Sequence, residues 1–547
     1  MMFLQEYGTR YYGIPELRYS EKIKYKTKTK KYMKIFTPKF LAAALLTVAC
    51  QISFAETLTV TTTEAGTLAN YIDANAKTTT TSLKVNGPLN GADILFLRQM
   101  MTAGLKSSET YEGVLAELDL SDATIVSSDD HYYETSKVSY TTTDNEVGDY
   151  MFNKCVTLTS IKLPRTATRI GQNAFLRLEN LTSIVLPEAL VTIDKSAFAY
   201  SNAFTELAFP ATLDSIMTYA FQSATALKTI SFAEGASLRY VSESAFNYCA
   251  ALESAELPAT VEYIGASAFS GDSTLTSFTF PASLKEVGNN AFQGCSNLTQ
   301  VSEIPAGVTN FGFGVFQSVP LSEIKVNPAN TNYVVENNVL FNAGKTTLIY
   351  MPMNCGKTSY HVPSTVTEIL NFAMYKVSTL KELILNDGLT TIQNTAFSQT
   401  GLETLVIPST VTSISSYMLE GCASLTGVTI LGTISDVPAN AFRESANMTR
   451  IAFAQATPPT FVRNSFYGNP ETIYVYVPAE SISAYETAMA VANRSSYVFC
   501  DINTSDIQLP KAESQMPNAS LYDLLGRPIQ SNAKGIIINA GRPVINQ

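Results

Sequence analysis

Residues 252–269 read Leu252-Glu-Ser-Ala255-Glu-Leu257-Pro258-Ala-Thr-Val261-Glu-Tyr-Ile264-Gly-Ala-Ser-Ala268-Phe269. The frame recurs as Leu158/Ile161/Leu163/Pro164/Ala167/Ile170/Ala174/Phe175, and as Leu181/Ile184/Leu186/Pro187/Leu190/Ile193/Ala197/Phe198. Its closing Phe returns at Phe152, Phe175, Phe198, Phe221, Phe246, Phe269, Phe292 and Phe316, in steps of 23 to 25 residues. After an interruption it resumes at Met374, Phe397, Leu419, Phe442 and Phe466. A fixed period of this length marks a solenoid. Within each unit Ile161 and Leu163, or Ala255 and Leu257, alternate with outward residues, the period of a short strand. Proline follows at once, where its missing N–H costs no ladder bond and its fixed φ turns the chain. One coil cannot bury both of its apolar sets alone. Neighbouring coils can, by stacking parallel strands about 4.8 Å apart.

The residue types and spacing of the Leu-x-x-Ile-x-Leu-Pro…Ile-x-x-x-Ala-Phe frame resemble leucine-rich repeats of the BspA type, found in surface proteins of gut and oral Gram-negative anaerobes. The likeness spans about 151–478. The frame predicts a repeat solenoid, a leucine-rich repeat array of about 13 coils of 23 residues with short parallel strands. The resemblance implies an exported, non-catalytic binding protein.

Outside the array the chain changes character. Residues 1–32 are rich in Tyr and Lys and read as an upstream extension from a misplaced start codon. Residues 33–55 carry Lys34 and Lys39, an apolar run from Phe40 to Ala49 and Ser53-Phe54-Ala55, the layout of a cleaved signal peptide. Thr47-Val48-Ala49-Cys50 is a rival lipoprotein box with Cys50 as the lipidated residue. No later stretch is long and apolar enough to span a membrane. Residues 56–150 are less regular: Ile94, Leu97 and Met101 sit at helical spacing, while Leu83–Val85 and Leu118–Leu120 read as strands. They predict an α/β N-terminal cap, with the polar Ser127–Val147 as a loop whose aspartates lack the spacing of a calcium loop. An insert at 326–360 reads as a β-hairpin with Asn342-Ala343-Gly344-Lys345 as its turn, first as a variant coil of the array and alternatively as a binding protrusion carrying Tyr333, Tyr350, Tyr360 and His361. Ile482, Tyr485 and Met489 give a helical stripe, so 479–500 is expected to lid the last coil.

Residues 501–547 form a linker and a small C-terminal β-hairpin tail. The tail's Tyr522, Asp523, Gly526, Arg527, Gly535 and Gly541 resemble the C-terminal sorting signal of type IX secretion substrates, although the usual terminal Lys is absent. That resemblance implies delivery to the exterior of a Gram-negative cell and anchoring there by the tail, whereas the rival box implies anchoring by lipid at Cys50.

The whole chain carries a formal charge of −10. Residues 1–55 hold 10 of the 37 Lys+Arg and only 3 of the 47 Asp+Glu, so the remainder carries −17. A chain this acidic is repelled by phosphate backbones, and nucleic acid is excluded as a partner. Only two histidines occur, His131 and His361, neither with a second ligand at metal spacing. No phosphate loop or nucleophile elbow appears, so no catalytic residue, metal or cofactor is assigned. Cys155, Cys249, Cys295 and Cys422 each fall three residues after the closing residue, where other coils carry Ser201, Ala224 and Ser445. Cys249 and Cys295 are two coils apart, about 10 Å by the stacking rise. A disulfide needs Cα atoms within about 7 Å, so these are small buried thiols.

Outward strand positions form one face of Ser, Thr and small residues with scattered charges, among them Lys162, Glu256, Glu323 and Lys325. Trp is absent and no aromatic row recurs there, which disfavours a sugar-stacking platform. Three functions follow, in order: binding or adhesion to a host or microbial protein, a structural surface rod or spacer, and glycan binding or processing. The candidate binding residues are those four charges, plus Tyr333, Tyr350 and Tyr360 if the insert is a protrusion.

Overall fold

The structure, a computed structural model, describes residues 57–106, 108–490 and 496–503, and the backbone of Leu521–Asp523, Gly535–Asn539 and Arg542–Asn546. The extension 1–32, the signal peptide 33–55 with Cys50, and the tail residues Gly526, Arg527 and Gly541 lie outside it. The chain is a parallel β-solenoid of about 19 turns with few helices.

Each regular coil contributes to three walls. The first holds the strands that end at proline: Ile161 opposes Ile184, Leu207 opposes Ile230, and Ile230 opposes Ala255, all in parallel register. The second is an eight-stranded sheet running coil by coil from Glu146–Val147 to Asn310–Phe311. The third is built from turns. There the Phe175 N–H donates to the Ala197 carbonyl at 2.8 Å, Phe198 to Ala220 at 2.8 Å and Phe221 to Ala245 at 2.7 Å. This turn needs left-handed residues on either side of Ala-Phe, such as Asn173 and Arg177 or Ser196 and Tyr200. Gly271 and Gly294 fill the second of these positions in their coils, where glycine carries no steric cost.

The closing phenylalanines form a spine. Phe152, Phe175, Phe198, Phe221, Phe246, Phe269, Phe292 and Phe316 stack with successive centroids 5.0 to 5.9 Å apart. All are buried.

The 23-residue frame falls short of 19 turns because the remaining coils lie outside it. At the N-terminal end Leu58 opposes Leu83, Leu83 opposes Leu118, and Leu118 opposes Ile161, so the first wall begins three coils earlier than the frame does. Their return paths are longer, which destroys the 23-residue period. One holds the helix Gly91–Met100, capped by Asn90 and burying Ile94, Leu97 and Met100. Ser127–Val147, expected as a loop, contains an antiparallel pair, His131–Glu134 with Ser139–Thr141, that buries Tyr132 and Tyr133. At the other end the helix Ile482–Met489 buries Tyr485 and Met489 but does not end the coiling. Ser496–Asp501 follows it and pairs in parallel with Thr472–Val477. The tail strands Leu521–Asp523, Gly535–Asn539 and Arg542–Asn546 form a small antiparallel sheet.

The insert is a structural coil. Tyr333–Glu336, Val339–Asn342 and Thr347–Tyr350 pair antiparallel, and the third strand then joins Glu368–Ile369 in parallel. Its middle strand is buried on both faces: Leu340 belongs to the core that precedes it, whereas Val339 and Phe341 belong to the core that follows.

Three residues after each closing position, small side chains tie adjacent coils together. Ser201 Oγ donates to the Phe175 carbonyl at 2.7 Å and Ser445 Oγ to Leu419 at 2.7 Å. The thiols of Cys249, Cys295 and Cys422 reach the carbonyls of Phe221, Phe269 and Phe397 at 3.2, 3.0 and 3.2 Å. All six described cysteines are free. Asp272 occupies this position in its own coil. It is fully buried and neither carboxyl oxygen has a well-formed hydrogen bond, with only weak support from the Cys249 N–H. Burial pushes its carboxyl far above the usual range, between two thiols that burial also pushes up.

Asp272→Ser is therefore expected to stabilise the fold by about 1–3 kcal/mol at neutral pH, since it replaces an unpartnered buried group with the residue other coils use. The sign with pH is fixed. A folded-state pKa above the unfolded value of about 3.9 means the folded state holds the extra proton, so wild-type stability falls as pH rises through the window between the two. The Ser variant lacks that slope. Urea denaturation at pH 5 and pH 8 checks this; an equal difference between the two proteins at both pH values would refute it.

Candidate functional site

The outward side of the first wall presents a regular surface. Thr229, Ser231, Ser254, Glu256, Ser277 and Thr279 are all exposed on successive coils. Strand register aligns Thr229 with Ser254, and further on Thr404 with Gly427, Arg450, Tyr474 and Val498. The wall is flat and short-chained because every second strand residue is committed to the core.

The charged candidates do not gather into one site. Lys162 pairs with Asp119 of the neighbouring strand at 2.9 Å. Burial opposes the Asp119 charge, but hydrogen bonds from Ser121 and Lys162 more than offset it and hold that carboxyl down at about 2. Glu323 and Lys325 pair with each other at 2.6 Å, both well exposed. Glu256 stands on a separate coil. Exposed pairs of this kind contribute at most about 1 kcal/mol each, so they add little to the fold.

The tyrosines of the insert point elsewhere. Tyr350 and Tyr360 are buried, the former against Phe316 at 5.4 Å. Tyr333 is half-buried and its hydroxyl accepts the Phe311 N–H at 2.9 Å. These rings knit the insert to its neighbours, and the expectation that they form an exposed binding protrusion is corrected. The reason is the two-faced burial of the middle strand, which leaves the insert no free side. Of the tail residues, Tyr522 and Asp523 lie in the strand Leu521–Asp523 and Gly535 opens the strand Gly535–Asn539.

His131 Nδ1 lies 3.1 Å from a Glu134 carboxylate oxygen, and His361 sits exposed on a first-wall strand. Among the described residues no group of three His, Cys, Asp or Glu is placed to hold a metal ion. Among them, too, no helix is long and apolar enough to cross a membrane.

Two features escaped sequence reasoning. Arg169, on the second wall, binds Glu146, Asp149 and Asp194 at 3.0, 2.7 and 2.7 Å and clamps three coils. A groove of about 600 Å³ lies beside the third wall, where the segment around the Ala103–Thr110 bridge overhangs the turns bearing Lys154, Arg177 and Tyr200. Those three residues recur at steps of 23, so reading the repeat by columns would have exposed them.

The sequence matches the family model described as the BspA type leucine rich repeat region over residues 145–271, 239–352 and 348–472. The chain belongs to the BspA-type leucine-rich repeat family. No curated protein matches this BspA-type chain. Several solved structures are similar to the chain at low identity. A leucine rich cell surface protein from Faecalibacterium prausnitzii is 20% identical with a TM-score of 0.41, covering 67% of this chain and 85% of its own. The pneumococcal vaccine antigen PcpA is 20% identical with a TM-score of 0.37, covering 72% and 85%. A leucine-rich repeat protein from Bacteroides ovatus is 22% identical with a TM-score of 0.37, covering 60% and 90%. In this BspA-type chain the interior columns, not the outward residues, carry the family frame.

Proposed function

We propose that this chain is an exported protein, displayed at the surface of a Gram-negative cell, that captures a host or microbial protein through the outward side of its first wall and performs no catalysis. The observation that supports the reading is the exposed set of short polar side chains on the strands of Thr229–Phe232, Ser254–Ala255 and Ser277–Phe278, with Glu256 set into it. Such a face lets a partner approach closely over these coils at little entropic cost, since Ser and Thr lose few rotamers. The buried insert leaves this wall as the surface for capture. Replacing Thr229 and Ser254 together by Arg is expected to weaken capture of the partner at least tenfold while leaving thermal unfolding unchanged. Pull-down and titration with both proteins check this. Equal capture by the double variant would move the contact off the wall, and a protein that captures nothing would be a rod or spacer instead. A glycan array with the same material would reveal the sugar-binding alternative.

Delivery to the surface is assigned to the leader at 33–55 followed by the tail. Truncation after Asn518 is expected to leave a folded protein in the periplasm, out of reach of protease added to intact cells. Surface cleavage undiminished by the truncation would remove the sorting role from the tail.

A further inference from the structure

The groove beside the third wall combines an apolar floor with a cationic rim. Its floor is apolar, built from Val156, Leu176 and Ala199 under the overhanging Ala103, and Val156 is 49% exposed there. Its rim carries two cations, Lys154 and Arg177, both exposed. The one carboxylate that lines it, Glu109, is engaged by the N–H groups of Leu105 and Lys106, which donate to its Oε2 at 3.1 and 3.3 Å. Among the described residues no carboxylate forms an ion pair with Arg177. Its guanidinium lies over the Tyr200 ring at 5.3 Å instead, which limits its rotamers while leaving its N–H donors at the rim. A cationic rim over an apolar floor, on a chain of net charge −10, selects an occupant that is locally anionic and apolar together.

We infer that this groove docks a short extended peptide segment of a partner protein, one that places an aliphatic or aromatic side chain on the floor and an adjacent Asp or Glu against Arg177. Peptide is favoured over sugar because the lining rings are already engaged. Arg177 covers one face of Tyr200, and Tyr150 packs against Tyr133 and Tyr140 at 5.2 and 5.1 Å, so each of these two lining rings already has a partner where a pyranose would stack. An extended segment suits an open trough better than a helix would, and a guanidinium fork matches a carboxylate in two parallel hydrogen bonds. The inference rests on the protein-capture reading but uses a different surface, so the two fail separately.

The test is selection of a random 12-residue peptide library displayed on phage against the full protein, followed by fluorescence anisotropy with the enriched peptides. Enriched sequences are expected to carry Asp or Glu within two residues of a large apolar side chain. Arg177→Glu and, independently, Val156→Lys should each weaken them at least tenfold. Arg177→Glu is compatible with the turn, since Glu444 occupies the equivalent position with φ 58°. The wall variant with Thr229 and Ser254 changed to Arg should bind the same peptides as the wild type. No enrichment, enriched peptides without an acidic residue, or affinity unchanged by Arg177→Glu would each overturn the groove as the docking site. The wall reading would then stand or fall on its own pull-down.

Discussion

Replacing Phe246 by alanine lowers the stability of the fold by about 3–5 kcal/mol, the range for emptying a fully buried aromatic site. Its ring stacks between Phe221 at 5.2 Å and Phe269 at 5.4 Å, so truncation removes two stacking contacts and opens a hole in the middle of the spine. The backbone cannot collapse to fill it. The Phe246 N–H is bonded to the Ala268 carbonyl at 2.8 Å, and the Phe221 N–H to the Ala245 carbonyl at 2.7 Å, which fixes the spacing of the coils around the gap. Phe152 begins the spine and stacks on Phe175 alone, so Phe152→Ala should cost less. Calorimetry of both variants decides the matter. Equal losses would mean that the rings act as separate apolar plugs and not as a stack.

A larger effect is expected from a charge in the insert. Leu340→Asp puts an unpaired carboxylate on the face of the middle strand that closes the preceding core, and Phe341→Asp does the same to the core that follows. A buried polar group without a partner costs several kcal/mol and an ionised one more, enough to unfold the half it faces. Limited proteolysis should then cut Leu340→Asp first among the coils before the insert, and Phe341→Asp first among those after it. Both variants being cut at the same sites would show that the two cores melt as one. Deleting 327–360 should be as damaging, which removes the insert from consideration as a detachable protrusion.

The regular coils were legible because their period repeats more often than chance allows and because each column has one job. Ile161, Ile184, Leu207, Ile230 and Ala255 line up as the frame requires, and the Cys and Ser positions pack where the column places them. The N-terminal coils were hidden by their own return paths, since a helix and a hairpin lengthen the loops until no fixed period survives. At the insert the hairpin and its turn were legible and the variant-coil reading holds; only the protrusion alternative failed. Val339-Leu340-Phe341 is a continuous apolar run, which periodicity alone cannot separate from a hairpin with one exposed face. Asp272 sits in a column of Ser and Cys, and nothing in a single sequence says that a carboxyl there is buried without a partner. The groove depends on where residues 102–106 and 108–111 lie over the turns, a tertiary fact with no local signal.

The three walls have a mechanical meaning. On each of them the backbone hydrogen bonds between coils run along the length of the molecule. Tension applied along that axis therefore loads the interfaces in series, each pulled open like a zip and not sheared across many bonds at once. Under flow or traction such a chain is expected to yield from an end, one coil at a time. Each regular coil of 23 residues would pay out about 80 Å of slack. A tether built this way gives ground in small steps before it fails, and it can rewind when the load is gone.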